Sequence, residues 1–156
     1  MLQELLNTIS EEYGTERFIP DDNGAYSLMC DGIELSIVPA GENQALLYSD
    51  LATEPEAEPG ELARVVLQVN YLFKGGEGAT FALDPERRHY VLQQLVQLTD
   101  ADDLSARLEH FLSLTERWSV LIAQYEPGKT QGSGASAEHK QVPDDGLAVP
   151  TTWLAV

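Results

Sequence analysis

Short apolar runs separated by turn sequences are the feature that most constrains how this chain can fold. Between Asp21 and Asp50, the turn sequences Asp-Asn-Gly, Asp-Gly and Gly-Glu-Asn divide the apolar pattern. Gly, Asn and Asp at such points favour tight turns, and connections this short join antiparallel neighbours. We therefore predict an antiparallel meander, with strands near residues 25–30, 33–38 and 45–50.

Helical periodicity flanks this region on both sides. Apolar residues at three- and four-residue steps predict a first helix over residues 2–13, which Gly14 ends. The same periodicity predicts a long last helix through residue 125, opened by the capping sequence Thr-Asp-Ala-Asp at 99–102. Residues 79–83 fit a further strand.

The predicted second helix, over residues 61–74, is apolar on two opposite sides. One side carries Leu62, Val65, Val66, Val69, Leu72 and Phe73. The opposite side carries Ala63, Leu67 and Tyr71, and a helix of this kind must bury both sides. If one side packs on the sheet, the other is left for a second copy of the chain, so these three residues are candidate dimer contacts. Burial of the whole helix within one chain is the alternative.

Residues 88–97 fit two different patterns. Asp84-Pro85-Glu86 is a good helix start, and the apolar residues that follow it can form one helical face. Alternate residues also share one face of a strand, namely Tyr90, Leu92, Val96 and Leu98. The pattern alone slightly favours a helix.

Composition and charge exclude several partners. The chain has 156 residues, 43% apolar and 22% charged, which suits one folded domain. Its 26 acidic residues against 9 basic ones give a net charge of −17, which disfavours nucleic acid and anionic membranes. No apolar run approaches the ~20 residues of a membrane span, and we expect no secretory signal. With Cys30 as the single cysteine there is no internal disulfide, so a reducing cytoplasm fits.

No group of residues predicts catalysis or metal binding. The three histidines lie in unrelated segments without a second ligand at zinc spacing, and Cys30 is expected to be a buried small hydrophobe. Asp100, Asp102 and Asp103 could bind calcium or share a proton, but capping of the last helix accounts for them. We therefore predict no catalytic residue, no metal and no cofactor. A carboxylate-based hydrolase is a minor alternative that rests only on the number of acids.

Two stretches of the chain have a biased composition. Between Arg17 and Arg64 there are ten acids and no Lys or Arg, which suits attraction of a basic peptide or serves solubility alone. From Glu126 onward, Pro, Gly, Ser, Thr and Gln dominate, so we predict a domain over residues 1–125 and a flexible C-terminal tail over 126–156. The last four residues of the tail are either a docking motif or an idle end.

The order of elements, in an acidic chain of this size, resembles the type III secretion chaperones of the Tir chaperone (CesT) family. The likeness covers about residues 1–125 and is clearest in the second half. It is carried by Asn70-Tyr71-Leu72-Phe73, by Gly75-Gly76-Glu77-Gly78, by the strand Ala79–Asp84, and by the spacing of apolar residues from Leu104 to Trp118.

The resemblance implies an α+β homodimer in the bacterial cytoplasm without catalytic activity. Its order would be α-β-β-β-α-β-β-α, with helices packed on a twisted antiparallel sheet and residues 88–97 forming a strand. Members of the family hold a non-globular N-terminal segment of a secreted effector, keep it competent for secretion and deliver it to the secretion apparatus. The implied partners are the effector, a second copy of the chain and the secretion ATPase, with dimer contacts on the second helix.

A bound effector segment would lie extended along a sheet edge, with its apolar side chains in grooves beside the first helix. The candidate partner-binding residues are Leu2, Leu5, Leu28, Leu35, Ile37 and Leu47. Because side chains alternate along a strand, some of these residues must belong to the core instead. A regulatory protein-binding module on the same fold, without a role in secretion, is the alternative function.

Overall fold

The computed structural model describes residues 1–54, 60–71 and 75–125. Within these residues the elements follow the predicted order α-β-β-β-α-β-β-α. They are α1 (Leu2–Tyr13), β1 (Tyr26–Cys30), β2 (Ile33–Pro39), β3 (Gln44–Thr53), α2 (Glu61–Asn70), β4 (Thr80–Asp84), β5 (His89–Gln97) and α3 (Ala101–Ala123). The predicted tail at 126–156 and most of the acidic connector before α2 lie outside the described residues.

The strands form one antiparallel sheet with the order β1-β2-β3-β5-β4. The first three strands make the predicted meander, but the fourth does not continue it. Instead β5 pairs with β3 and separates it from β4, which therefore lies at the far edge. β5 is therefore a central strand, and Tyr90, Val91 and Leu92 in its first half are all buried.

β5 corrects the helix that the pattern of residues 88–97 slightly favoured. His89–Gln97 is a strand, as the family resemblance implied. Its backbone hydrogen-bonds to β3 on one side and to β4 on the other. Tyr90, Leu92 and Val96 alternate with more exposed residues along most of the strand and lie in the core. Pairing with two neighbours therefore outweighs the local helical preference, which is a weak determinant by comparison.

α3 packs on one face of the sheet and α1 packs against α3, and together they enclose a single apolar core. Trp118 of α3 is fully buried and meets Phe81 of β4 edge to face, with ring centroids 4.7 Å apart and planes at 79°. Edge-to-face pairs of this kind are favourable beyond the area they bury. The contact ties the C-terminal half of α3 to the β4 end of the sheet.

α2 packs beside β4 and is shorter than predicted. It ends at Asn70, and Tyr71 is already extended with φ −62° and ψ 117°, whereas the sequence placed the end at residue 74, outside the described residues. The turn that follows requires glycine, because a Cβ on Gly75 would lie 2.5 Å from Val69 Cγ1. The close approach of this turn to α2 therefore fixes the path of the chain towards β4.

Candidate functional site

The two outer strands of the sheet differ in how far their edges are covered. In the part of the chain that the structure describes, no hydrogen bond reaches the backbone at the outer edge of β1. At the other end of the sheet, the side chain of Asn70 hydrogen-bonds to both backbone groups of Phe81 in β4. β1 is therefore the more open of the two edges.

The turn between β1 and β2 decides which backbone groups face the open edge. Asp31 and Gly32 have φ of 50° and 84°, which is typical of a two-residue type I′ turn. Cys30 pairs with Ile33 across this turn and closes the hairpin. Because paired and outward-facing residues alternate along an antiparallel strand, the N–H and C=O groups of residues 27 and 29 point away from β2. These groups are available to an added strand.

An apolar groove of about 190 Å³ lies directly beside this edge. Its floor and walls come from α1, the loop that follows α1, β1 and α3. The apolar lining residues are Ile9, Tyr13, Phe18, Leu28, Leu108 and Leu112. Cys30 also lines the groove and is exposed, so the prediction that it is buried is wrong. It is the last residue of the edge strand β1.

The rim of the groove is polar and acidic. Ser105 Oγ donates to the hydroxyl of Tyr13 at 3.1 Å, and this hydroxyl donates to Glu109 Oε1 at 3.2 Å. The exposed Asp31 follows Cys30 in the turn after β1. The groove can therefore take apolar side chains while its rim attracts positive charge.

The structure separates the six predicted partner-binding residues into two groups. Leu35, Ile37 and Leu47 have no exposed surface and Leu2 is 7% exposed, so these four lie in the core. Leu5 and Leu28 are only partly buried, and Leu28 lines the groove. The other groove residues were missed because periodicity assigns a residue to a helix face without showing which end of that face stays uncovered.

The outer side of α2 is a second exposed apolar surface. Leu67 is 65% and Tyr71 is 56% exposed, whereas Leu62, Val66 and Val69 on the opposite side are buried. The exposed pair and the half-buried Ala63 line an open depression of about 470 Å³, together with Gly60, Arg64 and Gln68. Among the described residues nothing covers this side, so the alternative of a helix enclosed within one chain has no support there.

The arginines at the β4–β5 turn are engaged in ion pairs. Arg87 lies 2.7 Å from Asp50 and 2.7 Å from Asp84, and Arg88 lies 3.0 Å from Glu54. The hydrogen bond from the Arg87 guanidinium holds the pKa of Asp84 below its usual value. These ion pairs therefore tie the β4–β5 turn to the C-terminal end of β3.

Of the carboxylates at the start of α3, Asp100 caps the helix and Asp103 pairs with neighbouring side chains. Asp100 accepts a hydrogen bond from the backbone N–H of Asp103 at 2.8 Å. The Asp103 carboxylate accepts from Arg107 Nε at 2.8 Å and from Thr99 Oγ1 at 2.9 Å, and these bonds lower its pKa.

No group of three His, Cys, Asp or Glu side chains within the described ranges is placed to hold a metal ion. None of the helices in those ranges is long and apolar enough to cross a bilayer.

The family model described as Tir chaperone protein (CesT) matches residues 4–119. This chain belongs to the Tir chaperone protein (CesT) family. The match includes every helix and strand described above, although it begins inside α1 and ends inside α3. No curated protein sequence matches the chain significantly.

Chains in several solved complexes share the fold. A chain of the ExsC-ExsE complex is 19% identical, with a TM-score of 0.66 over 78% of this chain and 92% of the other. A chain of the HopA1-SchA chaperone-effector complex is 18% identical, with a TM-score of 0.62 over 76% and 93%. A chain of the heterodimeric ExoU-SpcU complex from the type III secretion system of Pseudomonas aeruginosa is 25% identical, with a TM-score of 0.57 over 81% and 99%.

Proposed function

We propose that this protein is a type III secretion chaperone that binds a non-globular N-terminal segment of a secreted effector, keeps it competent for secretion and delivers it to the secretion apparatus. Membership of the Tir chaperone family and the likeness to chaperone-effector complexes support this role. The observation that carries the proposed binding mode is the open β1 edge beside an apolar groove.

The β1 edge suits an extended segment because strand addition uses backbone groups that every sequence has. The outward N–H and C=O groups of Ser27 and Met29 would pair with the effector backbone. Alternate side chains of the added strand would point to the same side as Leu28 and reach the groove. Hydrogen bonds then give a sequence-tolerant contact, and the groove selects for apolar residues at every second position.

Charge would favour effector segments that carry Lys or Arg near these apolar positions. The groove rim bears Glu109, and the sequence from Arg17 to Arg64 has no basic residue between them. Charge of this kind raises the association rate and fixes the register more than it raises affinity. Ordering the segment costs about 2–5 kcal/mol, which offsets part of the contact energy and keeps binding reversible.

A carrier of this kind needs no bond-making step, so we assign it no catalytic residue and no cofactor. Its place would be the bacterial cytoplasm, where effectors are made, and handover would involve the secretion ATPase. We also assign the exposed side of α2, with Ala63, Leu67 and Tyr71, to a homodimer contact. That surface is apolar, and in a symmetric dimer the same patch meets its own copy.

A proline at Met29 tests strand addition at β1. The purified protein is used to capture effectors from a lysate of the bacterium that encodes it. The captured complex is trimmed with protease, and the effector segment that stays protected is synthesised as a peptide. Met29→Pro removes one outward N–H, and we expect a roughly five- to tenfold weaker peptide affinity by calorimetry, since a hydrogen bond contributes about 1 kcal/mol. Met29→Ala removes the 64% exposed side chain and keeps the N–H, so its affinity should match the wild type.

Equal affinities of the proline variant and the wild type would contradict binding at β1. The identity of the protected partner tests the function separately. A segment from the N-terminus of a secreted protein supports the chaperone, whereas a folded partner that is not secreted favours the regulatory module.

A further inference from the structure

Asn70 makes an unusual contact at the β4 edge. It is the last residue of α2, and its Nδ2 donates to the backbone C=O of Phe81 at 2.9 Å. Its Oδ1 accepts from the backbone N–H of the same residue at 2.8 Å. One side-chain amide therefore pairs with β4 as the peptide group of a neighbouring strand would.

The two bonds fall on the side of β4 that faces away from β5. β4 is the last strand of the sheet, so this side would otherwise present unpaired donors and acceptors. Such an edge is a template for another strand. To bond both the N–H and the C=O of Phe81, a side chain of this length must carry one donor and one acceptor, as Asn does. An ionised Asp has no donor, and Ala has neither group.

We infer that Asn70 is a positioning residue that closes the β4 edge to foreign strands and leaves β1 as the strand acceptor of each subunit. The contact occupies both outward backbone groups of Phe81, in the path that an added strand would follow along β4. The consequence that each subunit takes one effector strand, at β1, rests on the proposed function.

Closing one edge also limits how the chains associate. If both edges were open, β1 of one chain could pair with β4 of the next in a head-to-tail contact. A contact of that type does not close on itself and produces open-ended assemblies. Asn70 also lies next to Tyr71, so the same residue anchors the exposed side of α2 to the sheet.

Substitution of Asn70 tests the closed edge without any effector. The size of the purified chain is measured by light scattering after size exclusion, from about 5 to 200 μM. We expect Asn70→Ala to form species larger than the wild type, because the backbone N–H and C=O of Phe81 lose their partner. The fraction of these species should rise with protein concentration. Asn70→Asp keeps the acceptor but loses the donor, so it should form less of these larger species than Asn70→Ala does. Asn7→Ala removes another helix-borne amide, which pairs with Gln3 at 3.1 Å, and should not change the size.

A second substitution separates an opened edge from general damage. Leu83 lies two residues beyond Phe81, so its N–H faces the same outer side, and its side chain is 40% exposed. Leu83→Pro removes this N–H, and in the Asn70→Ala background it should return the chain to the wild-type size. A loss of packing alone would not be rescued by proline.

Two results would overturn the inference. One is an Asn70→Ala chain that keeps the wild-type size at every concentration, and the other is larger species that persist in the double variant. If Asn70→Ala does not fold by circular dichroism, the same comparison is made with Asn70→Asp and its Leu83→Pro double variant. Failure of the peptide experiment at Met29 would leave this result unaffected, so the two proposals fail independently.

Discussion

Substitution of Leu67 on the exposed side of α2 should abolish the proposed homodimer. Its side chain is 65% exposed in the single chain. Complete burial of a leucine contributes about 1.5–3 kcal/mol, so covering the exposed part contributes roughly 1–2 kcal/mol per subunit. A symmetric dimer contains the residue twice, which gives roughly 2–4 kcal/mol for the pair.

Leu67→Asp removes this contribution and places two carboxylates in an apolar contact. The dissociation constant of the dimer should rise at least 30- to 1000-fold, because each 1.4 kcal/mol is about a factor of ten. Leu67→Ala removes less apolar area and adds no charge, so its effect should be smaller. The measurement is sedimentation velocity over a concentration series that brackets the wild-type dissociation constant.

Val120→Asp is the matched control for Leu67→Asp. Val120 is 50% exposed on α3 and receives the same charge at an exposed helical position. Its dissociation constant should match that of the wild type. The reasoning is refuted if Leu67→Asp associates as tightly as the wild type, or if the wild-type protein is monomeric at micromolar concentration.

Two further predictions concern stability. Gly75→Ala should lower the free energy of unfolding in urea by about 1–3 kcal/mol, because its Cβ would lie 2.5 Å from Val69 Cγ1. In the double variant Gly75→Ala, Val69→Ala, the loss of unfolding free energy should be smaller than the sum of the two single losses, because the clashing methyl group is gone. Strictly additive losses would contradict the clash. The pKa of Asp84 is below its usual value of 3.8 through its bond with Arg87, so the stability it provides is present above pH ~3.8 and is lost as pH falls. Asp84→Asn should therefore flatten the fall of stability between about pH 5 and pH 2, and equal slopes would argue against this source.

The strands of the first half and the two terminal helices could be predicted closely from local signals. Asp31 and Gly32 form the expected hairpin turn, and Gly14 ends α1 with φ 64°. Asp100 caps α3 as the sequence predicted. These features depend on residues within a few positions of one another, where glycine conformation and side-chain capping act without the rest of the fold.

The outer side of α2 was also indicated by the sequence, because the helix has apolar residues on opposite sides and one of them can pack on the sheet. Leu67 and Tyr71 are exposed as that pattern indicated, although their role in a dimer stays a prediction. The pattern could not place the end of this helix at Asn70, which depends on the turn at Gly75 and on β4 beside it.

The sequence by itself determined the strands of the first meander, their turns, the acidic charge and the surplus of apolar helix surface, because all of these depend on composition and short-range spacing. Only the tertiary structure decided that residues 89–97 lie at the centre of the sheet, that Leu35, Ile37 and Leu47 are core, and that Asn70 pairs with Phe81 at one outer strand while the β1 edge has no hydrogen-bond partner among the described residues. The reason is that strand pairing and edge exposure arise between residues far apart in the chain. A period of two or 3.6 residues places a side chain on a face and does not reveal what lies opposite that face.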